Sequence, residues 1–219
     1  MDPVPLSSSE QTRRALVAAA LRLFGEKGFE GTSTRDIAAA ASANIGSIAY
    51  HFGGKEGLRA ACAAFIVETI QAVAAQALAV EDVPASETAA ADRLETAIRR
   101  MVGFVIARPE AGAIVQFVLR ELAHPTAALD TIYDGVFEPT HRRLCELWAE
   151  ATGEDAESDR TKITVFTMIG QVIYFRIGRE AVMRRMGWSE IGPKEANAVA
   201  SVAVDNLAAV LAAQKRTRS

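Results

Sequence analysis

Apolar positions recur every three or four residues along most of this chain, the period of helices that each bury one face. Leu16, Ala20, Leu23 and Phe24 form the first such stripe, predicting a helix that starts at a Ser7 or Ser9 cap, runs to about Lys27 and is stopped by Gly28. Ile37, Ala38 and Ala41 mark a second, short helix, with Ser33 placed three residues ahead of Asp36 as a capping box requires. Ser42-Ala43-Asn44 interrupts it, since Ser and Asn side chains compete for backbone hydrogen bonds. A third helix is expected from about Ile45 to Phe52, closed by Gly53-Gly54. Leu16, Ala20, Leu23, Phe24, Ile37 and Ile48 should then meet in one small core.

Lys55 opens a fourth helix to about Ala79, and Glu81 to Ser86 reads as a linker. The fifth helix starts at Ser86 or Thr88 and reaches Ala107, where Arg108-Pro109 marks a boundary. Pro109 suits the first turn of a sixth helix to about Ala123. A seventh spans Ala127 to Ala151, with a kink expected near Glu138 because Pro139 lies inside it. An acidic loop follows, then an eighth helix over 160–186. Its first half is apolar nearly all round (Ile163, Phe166, Ile169, Val172, Ile173, Tyr174, Ile177), so a second subunit is its expected cover. The last helix runs from Pro193 to about Gln214 with Val202, Leu207, Val210 and Leu211 in its apolar stripe, and Lys215, Arg216 and Arg218 suit its C-terminus. The pattern predicts an all-α fold of about nine helices. Residues 1–8 are expected to be disordered, 9–55 to form a small three-helix head, and 56–219 a larger helical domain.

Composition sharpens this reading. Half of the 219 residues are apolar and only 6% are aromatic, which suits alanine-rich helices packed closely. No apolar run is seen to reach the roughly 20 residues of a membrane span, and no signal peptide is apparent, so a cytoplasmic protein is expected. Cys62 and Cys145 lie far apart without metal-ligand spacing and read as free thiols; neither a metal nor another cofactor is expected. The net charge of −3 disfavours nucleic acid at first sight. Its distribution reverses that: residues 9–60 hold Arg13, Arg14, Arg22, Lys27, Arg35, Lys55 and Arg59 against Glu10, Glu26, Glu30, Asp36 and Glu56.

Two short helices about a tight turn make a helix-turn-helix, whose second helix can enter a DNA major groove. The segments Gly28-Phe29-Glu30-Gly31-Thr32-Ser33-Thr34-Arg35-Asp36-Ile37-Ala38, Gly46-Ser47-Ile48-Ala49-Tyr50-His51-Phe52 and Lys55-Glu56-Gly57-Leu58 resemble the DNA-binding head of the tetracycline-repressor (TetR) family in order, spacing and residue type. The resemblance covers roughly residues 9–60. It implies that Ile45–Phe52 is the recognition helix and double-stranded operator DNA the partner. Asn44, Gly46 and Ser47 then stand at its base-reading end. Asn44 could pair with adenine or simply cap the helix, and Gly46 could admit the duplex backbone or simply serve the turn. The family pattern gives Tyr50, His51 and Lys55 phosphate contacts, with Thr32, Thr34 and Arg35 on flanking phosphates. For His51 the alternative is packing on the head, and for Lys55 a solvated helix start. Ala49 departs from the family, many of whose members carry an aromatic there.

In the larger part, Ile169 to Trp188, together with Arg120-Glu121 and Pro125-Thr126, resembles the CecR-like subgroup of that family. The resemblance covers the dimerisation part and does not fix an effector. A homodimer through helices near 160–186 and 194–213, packed as a four-helix bundle, and an unknown small-molecule effector are expected. Phe104, Phe117, Arg120, Glu121, His141, Cys145, Trp148, Gln171 and Tyr174 are the candidates for an interior cavity. Arg120 and Glu121 stand out, because buried charges need partners or a polar ligand; Arg120 could equally pair with a carboxylate across the bundle. The expected function is a homodimeric repressor that an effector releases from DNA. An all-helical enzyme is the rival from another class, but His51, His124 and His141 are scattered and form no ligand or catalytic motif. A ligand-independent DNA-binding dimer is the third reading.

Overall fold

The structure is a computed structural model that describes residues 7–78, 86–108 and 111–218, with the backbone alone for 74–78, 87 and 215–218. Its helices are α1 (Ser8–Lys27), α2 (Thr34–Ala40), α3 (Gly46–Phe52), α4 (Lys55–Leu78), α5 (Glu87–Val102), α6 (Ala111–Ala123), α7 (Ala127–Ile132), α8 (Glu138–Thr152), α9 (Asp159–Ile177), α10 (Arg179–Met186) and α11 (Pro193–Arg218). Among the described residues there is no strand. Ser7 caps α1 by accepting from the Glu10 N–H, and helix already begins at Ser8, inside the stretch expected to be disordered. Residues 1–6, most of the 81–86 linker and Pro109 lie outside the described residues.

Among the described residues the nine expected helices become eleven, because two of them are interrupted. The helix expected over Ala127–Ala151 contains a π turn at Tyr133–Phe137, after which Pro139 occupies the first turn of α8, where its missing N–H costs nothing. The helix expected over 160–186 ends at Ile177, and Gly178 separates it from α10. Continuous apolar patterning had hidden this second break. A further π turn, Gly103–Ala107, follows α5. One sequence expectation is overturned outright. Pro193–Gln214 in α11 is long and apolar enough to cross a membrane by length and composition. Its Val199, Ala203, Leu207 and Leu211 belong to a buried core, and a core helix has the same composition.

The chain divides into two compact units. Unit 1 comprises residues up to Thr69 together with Ala113–Gly135, and unit 2 comprises Ile70–Gly112 with the rest from Val136 onward. This differs from the expected boundary between residues 55 and 56, because α6 packs against α1. The Cβ that Gly25 lacks would stand 3.0 Å from Gln116 Cβ and 3.3 Å from the Phe117 backbone nitrogen, so the two helices meet with no room for a side chain. Unit 1 buries Leu16, Ala20, Phe24, Ile37 and Ile48 as expected, and adds Leu58, Cys62 and Ile66 of α4 and Phe117 of α6. Unit 2 is centred on Trp148 and Leu147, both fully buried, with Leu94, Val102, Val165 and Val172 around them. The Trp148 indole N–H donates to Glu154 at 2.8 Å, which satisfies its one polar atom.

Candidate nucleic-acid interface

The turn between α2 and α3 is built almost entirely from local chemistry. Ser33 Oγ accepts from the Asp36 N–H at 3.0 Å, and the Asp36 carboxylate accepts from the Ser33 N–H and hydroxyl, completing the capping box. These bonds hold the Asp36 carboxyl below the usual carboxylate range. Backbone bonds then end α2: Ala43 N–H reaches Ala38 O at 2.9 Å and Ser42 N–H reaches Ala39 O at 3.1 Å, with Ser42 at φ +52°. That is a Schellman motif with serine in the left-handed position glycine usually takes. The interruption therefore rests on main-chain geometry at Ser42 rather than on side-chain competition from that residue.

Asn44 does use its side chain. Its Oδ1 accepts from the Gly46 N–H at 2.8 Å and so caps the start of α3. The amide oxygen that a bidentate adenine contact needs is thus engaged in the turn, and the NH2 donor remains. A Cβ on Gly46 would stand 3.3 Å from that oxygen, so a side chain there would have to push the Asn44 amide back by a few tenths of an ångström. Ile48 is the one buried residue of α3 and pins the helix to the head, while Tyr50 is 83% exposed. His51 is half-buried, its ring edge-on to Tyr50 at 4.9 Å. Ser47 and Thr34 are half-buried and Arg35 is exposed on α2.

Phe29 supplies a feature that residue types alone did not signal. The Lys55 ammonium lies 4.1 Å and the Arg59 guanidinium 3.9 Å from its ring centroid, so one aromatic ring positions two cations at the start of α4. Arg59 also pairs with Glu56 at 2.6 Å. Thr32 needs correction. Its side chain is buried, and its hydroxyl donates toward Leu23 O and Gly28 O at 3.1 and 2.7 Å while its N–H bonds Phe29 O. It ties the α1–α2 corner together and has no group to offer a phosphate.

Both the sequence and the fold are shared with known proteins. Residues 16–62 match the sequence model described as bacterial regulatory proteins of the tetR family. Residues 90–214 match the C-terminal domain of the HTH-type transcriptional dual regulator CecR. The dual regulator CecR of Shigella flexneri is 35% identical over 194 residues, which is 86% of each chain. The chain belongs to the CecR family of tetR-type transcriptional regulators. Solved structures share the fold at lower identity. A TetR-like regulator from Rhodococcus sp. RHA1 aligns with a TM-score of 0.65 at 18% identity, covering 94% of this chain and 99% of that one. AibR, in a complex with isovaleryl coenzyme A and operator DNA, aligns at 0.64 and 18%, covering 88% and 96%. The protein is accordingly a DNA-binding transcriptional regulator with a helix-turn-helix head.

The nine candidate cavity residues of this CecR-family chain divide between the two units. Phe117, Arg120 and Glu121 lie in unit 1 and the other six in unit 2. Phe117 is buried against Phe24, with ring centroids 6.4 Å apart. Arg120 is turned outward rather than into a cavity. Its Nε donates to Gly25 O at 2.6 Å and an Nη to Glu26 O at 2.7 Å, clamping the last carbonyls of α1, where a cation also complements the helix dipole. Glu121 is buried and accepts from the Thr126 hydroxyl at 2.5 Å. The partner foreseen for Arg120 was a carboxylate, whereas the structure supplies backbone oxygens.

In unit 2, Phe104 and Trp148 pack in the core. His141 stacks on Phe166 at 3.9 Å, bonds the Lys162 carbonyl oxygen, and sits 3.6 Å from Cys145 Sγ. Burial, and then Glu157, push the Cys145 thiol up, so it stays protonated rather than acting as a nucleophile. Tyr174 is 59% exposed. Gln171 accepts from Asn206 at 3.0 Å and lines a groove of about 330 Å³ between α9 and α11, together with Arg160, Thr164 and Val210. Among the described residues no group of His, Cys, Asp and Glu could hold a metal ion.

Proposed function

We propose that this regulator works as a homodimer that represses transcription from its operator and is released by a small-molecule effector. The observation that carries the dimer is the apolar surface of α9 and α11. Ile163, Phe166, Tyr174 and Ile177 on α9, and Val202 and Val210 on α11, are exposed in the single chain, too many large apolar groups for two helices to leave in water. A second copy presenting the same two helices covers them as a four-helix bundle. Such a dimer carries two recognition helices, the number that a palindromic operator with two half-sites requires. Sedimentation tests this directly: the wild type should be a dimer, and Val202→Glu should shift it to monomer. A monomeric wild type at micromolar concentration would end the proposal.

On DNA, we assign base contacts to Ser47 and the Asn44 NH2, and phosphate contacts to Tyr50, His51, Thr34, Arg35 and Lys55. Lys55→Ala should weaken binding about equally across sequences and lower the slope of log affinity against log salt by about one. An unchanged slope would remove Lys55 from the contacts. The effector reading is supported by AibR, a solved relative in fold bound to both an acyl coenzyme A and DNA. His141, Cys145 and Phe104 remain unit 2 candidates for contact with such a ligand. The Shigella relative is described as a dual regulator, which favours a second reading in which some operators are activated. Either role is exercised on the genome, in the cytoplasm of a bacterial cell.

A further inference from the structure

The cavity at the C-terminal end of α9 is lined by two arginines and apolar side chains, and none of the nine candidates from sequence lines it. It holds about 280 Å³ and is walled by Ile106, Ala107, Arg176, Arg179 and Ile191. Ile106 and Ala107 are delivered by the π turn Gly103–Ala107, a kind of helix irregularity found often at functional sites. Arg176 lies in the last turn of α9 and Arg179 opens α10, one on each side of the break at Gly178. The Arg176 guanidinium fills the space that a Cβ on Gly112 would occupy, so a glycine at the start of α6 is what lets it stand there.

We propose that this cavity is a binding site for a small organic carboxylate, with the anion held between Arg176 and Arg179 and a short apolar body against Ile106 and Ile191. Two arginines lining one hollow offer guanidinium forks that suit the planar, two-oxygen geometry of a carboxylate. The volume falls just below the roughly 300–1,000 Å³ of sites for drug-sized ligands, which limits the body to a short chain. Burial, followed by the neighbouring Arg179 charge, lowers the Arg176 pKa, which places the two guanidinium groups close enough to act on one another. The site is independent of the effector reading, because occupancy is measured without DNA and operator release is a separate assay.

The test is calorimetric titration of the full chain with sodium hexanoate, its neutral partner hexanamide, and inorganic phosphate. Hexanoate should bind once per protomer and hexanamide at least tenfold more weakly. Arg176→Gln and Arg179→Gln should each weaken hexanoate at least tenfold while circular dichroism stays unchanged. Gly112→Ala, which keeps both charges and displaces one guanidinium, should weaken it as well. Equal binding of acid and amide would overturn the proposal, as would hexanoate affinity indifferent to either arginine. Phosphate binding with hexanoate silent would overturn the apolar half of the site.

Discussion

Unit 1 fixes its short helices by bonds between near neighbours in sequence, while unit 2 fixes its long ones by side chains far apart in the chain. The α2–α3 turn is complete within Ser33 to Gly46: a capping box, a Schellman motif and an Asn44 cap, each spanning six residues or fewer. Unit 2 instead depends on α5, α8, α9 and α11 closing around Trp148. The surfaces differ in the same sense. The head exposes Tyr50 and its cations beside a buried Ile48, whereas α9 and α11 expose Ile163, Phe166 and Val202. Local bonding gives the head a shape before it meets DNA. Long-range packing gives unit 2 a core but leaves an apolar face whose completion needs something more.

Substitutions in each unit probe this difference, beginning where the most stability is at stake. Trp148→Ala should cost unit 2 about 3–5 kcal/mol, since the cavity left by a buried indole collapses only in part. Urea unfolding followed by circular dichroism reads it, and a loss under about 1 kcal/mol would mean that Trp148 is not the keystone of that core. Arg120→Ala should cost unit 1 about 1.5 kcal/mol, the low end for charge-assisted bonds because the side chain is largely exposed. Hydrogen exchange should then quicken at the end of α1; unchanged protection there would show the clamp to be ornamental.

Ser33→Ala should cost about 1 kcal/mol at neutral pH, and its pH dependence carries the sign. Asp36 has a lowered pKa in the folded head, so its contribution is present above the unfolded value and disappears as pH falls through the folded one. The gap between wild type and variant should therefore narrow in acid, leaving the part due to the Asp36 N–H bond to Ser33 Oγ. A gap undiminished at about pH 2 would exclude the Asp36 half of the box. The smallest effect is Phe29→Leu, which removes about 0.5–1 kcal/mol of ring–cation attraction and should weaken DNA binding roughly two- to fivefold. The loss should vanish in a Lys55→Ala background. If it persists there, the ring acts on DNA by some route other than Lys55.

The same contrast explains what could be read from sequence. Ser33 with Asp36, Gly28 and Gly53 announce helix ends within a few residues, so the head was legible almost to the residue. Arg120 was not, because its partners lie on α1, some ninety positions away, and are backbone oxygens that carry no sequence signature. Thr32 misled for a related reason: a threonine before a cap suits a phosphate contact or a buried corner equally well, and only burial decides. The break at Gly178 was masked because apolar patterning continues across it. The pairing of Arg176 with Arg179 around a cavity depends on that break and on Gly112, and neither is a local signal.

Unit 1 is discontinuous: its core closes only when Ala113–Gly135 returns to the first 69 residues. On a ribosome adding about 5–20 residues per second, the emerging head waits several seconds for α6 before Phe24 and Gly25 are covered. For engineering, the consequence is a rule of excision. A graft of this reader onto another sensor that cuts in α4 would strand the end of α1 in water. A hybrid that carries residues 113–135 along with the head keeps Arg120 and Phe117 in place, and with them the surface on which α1 rests.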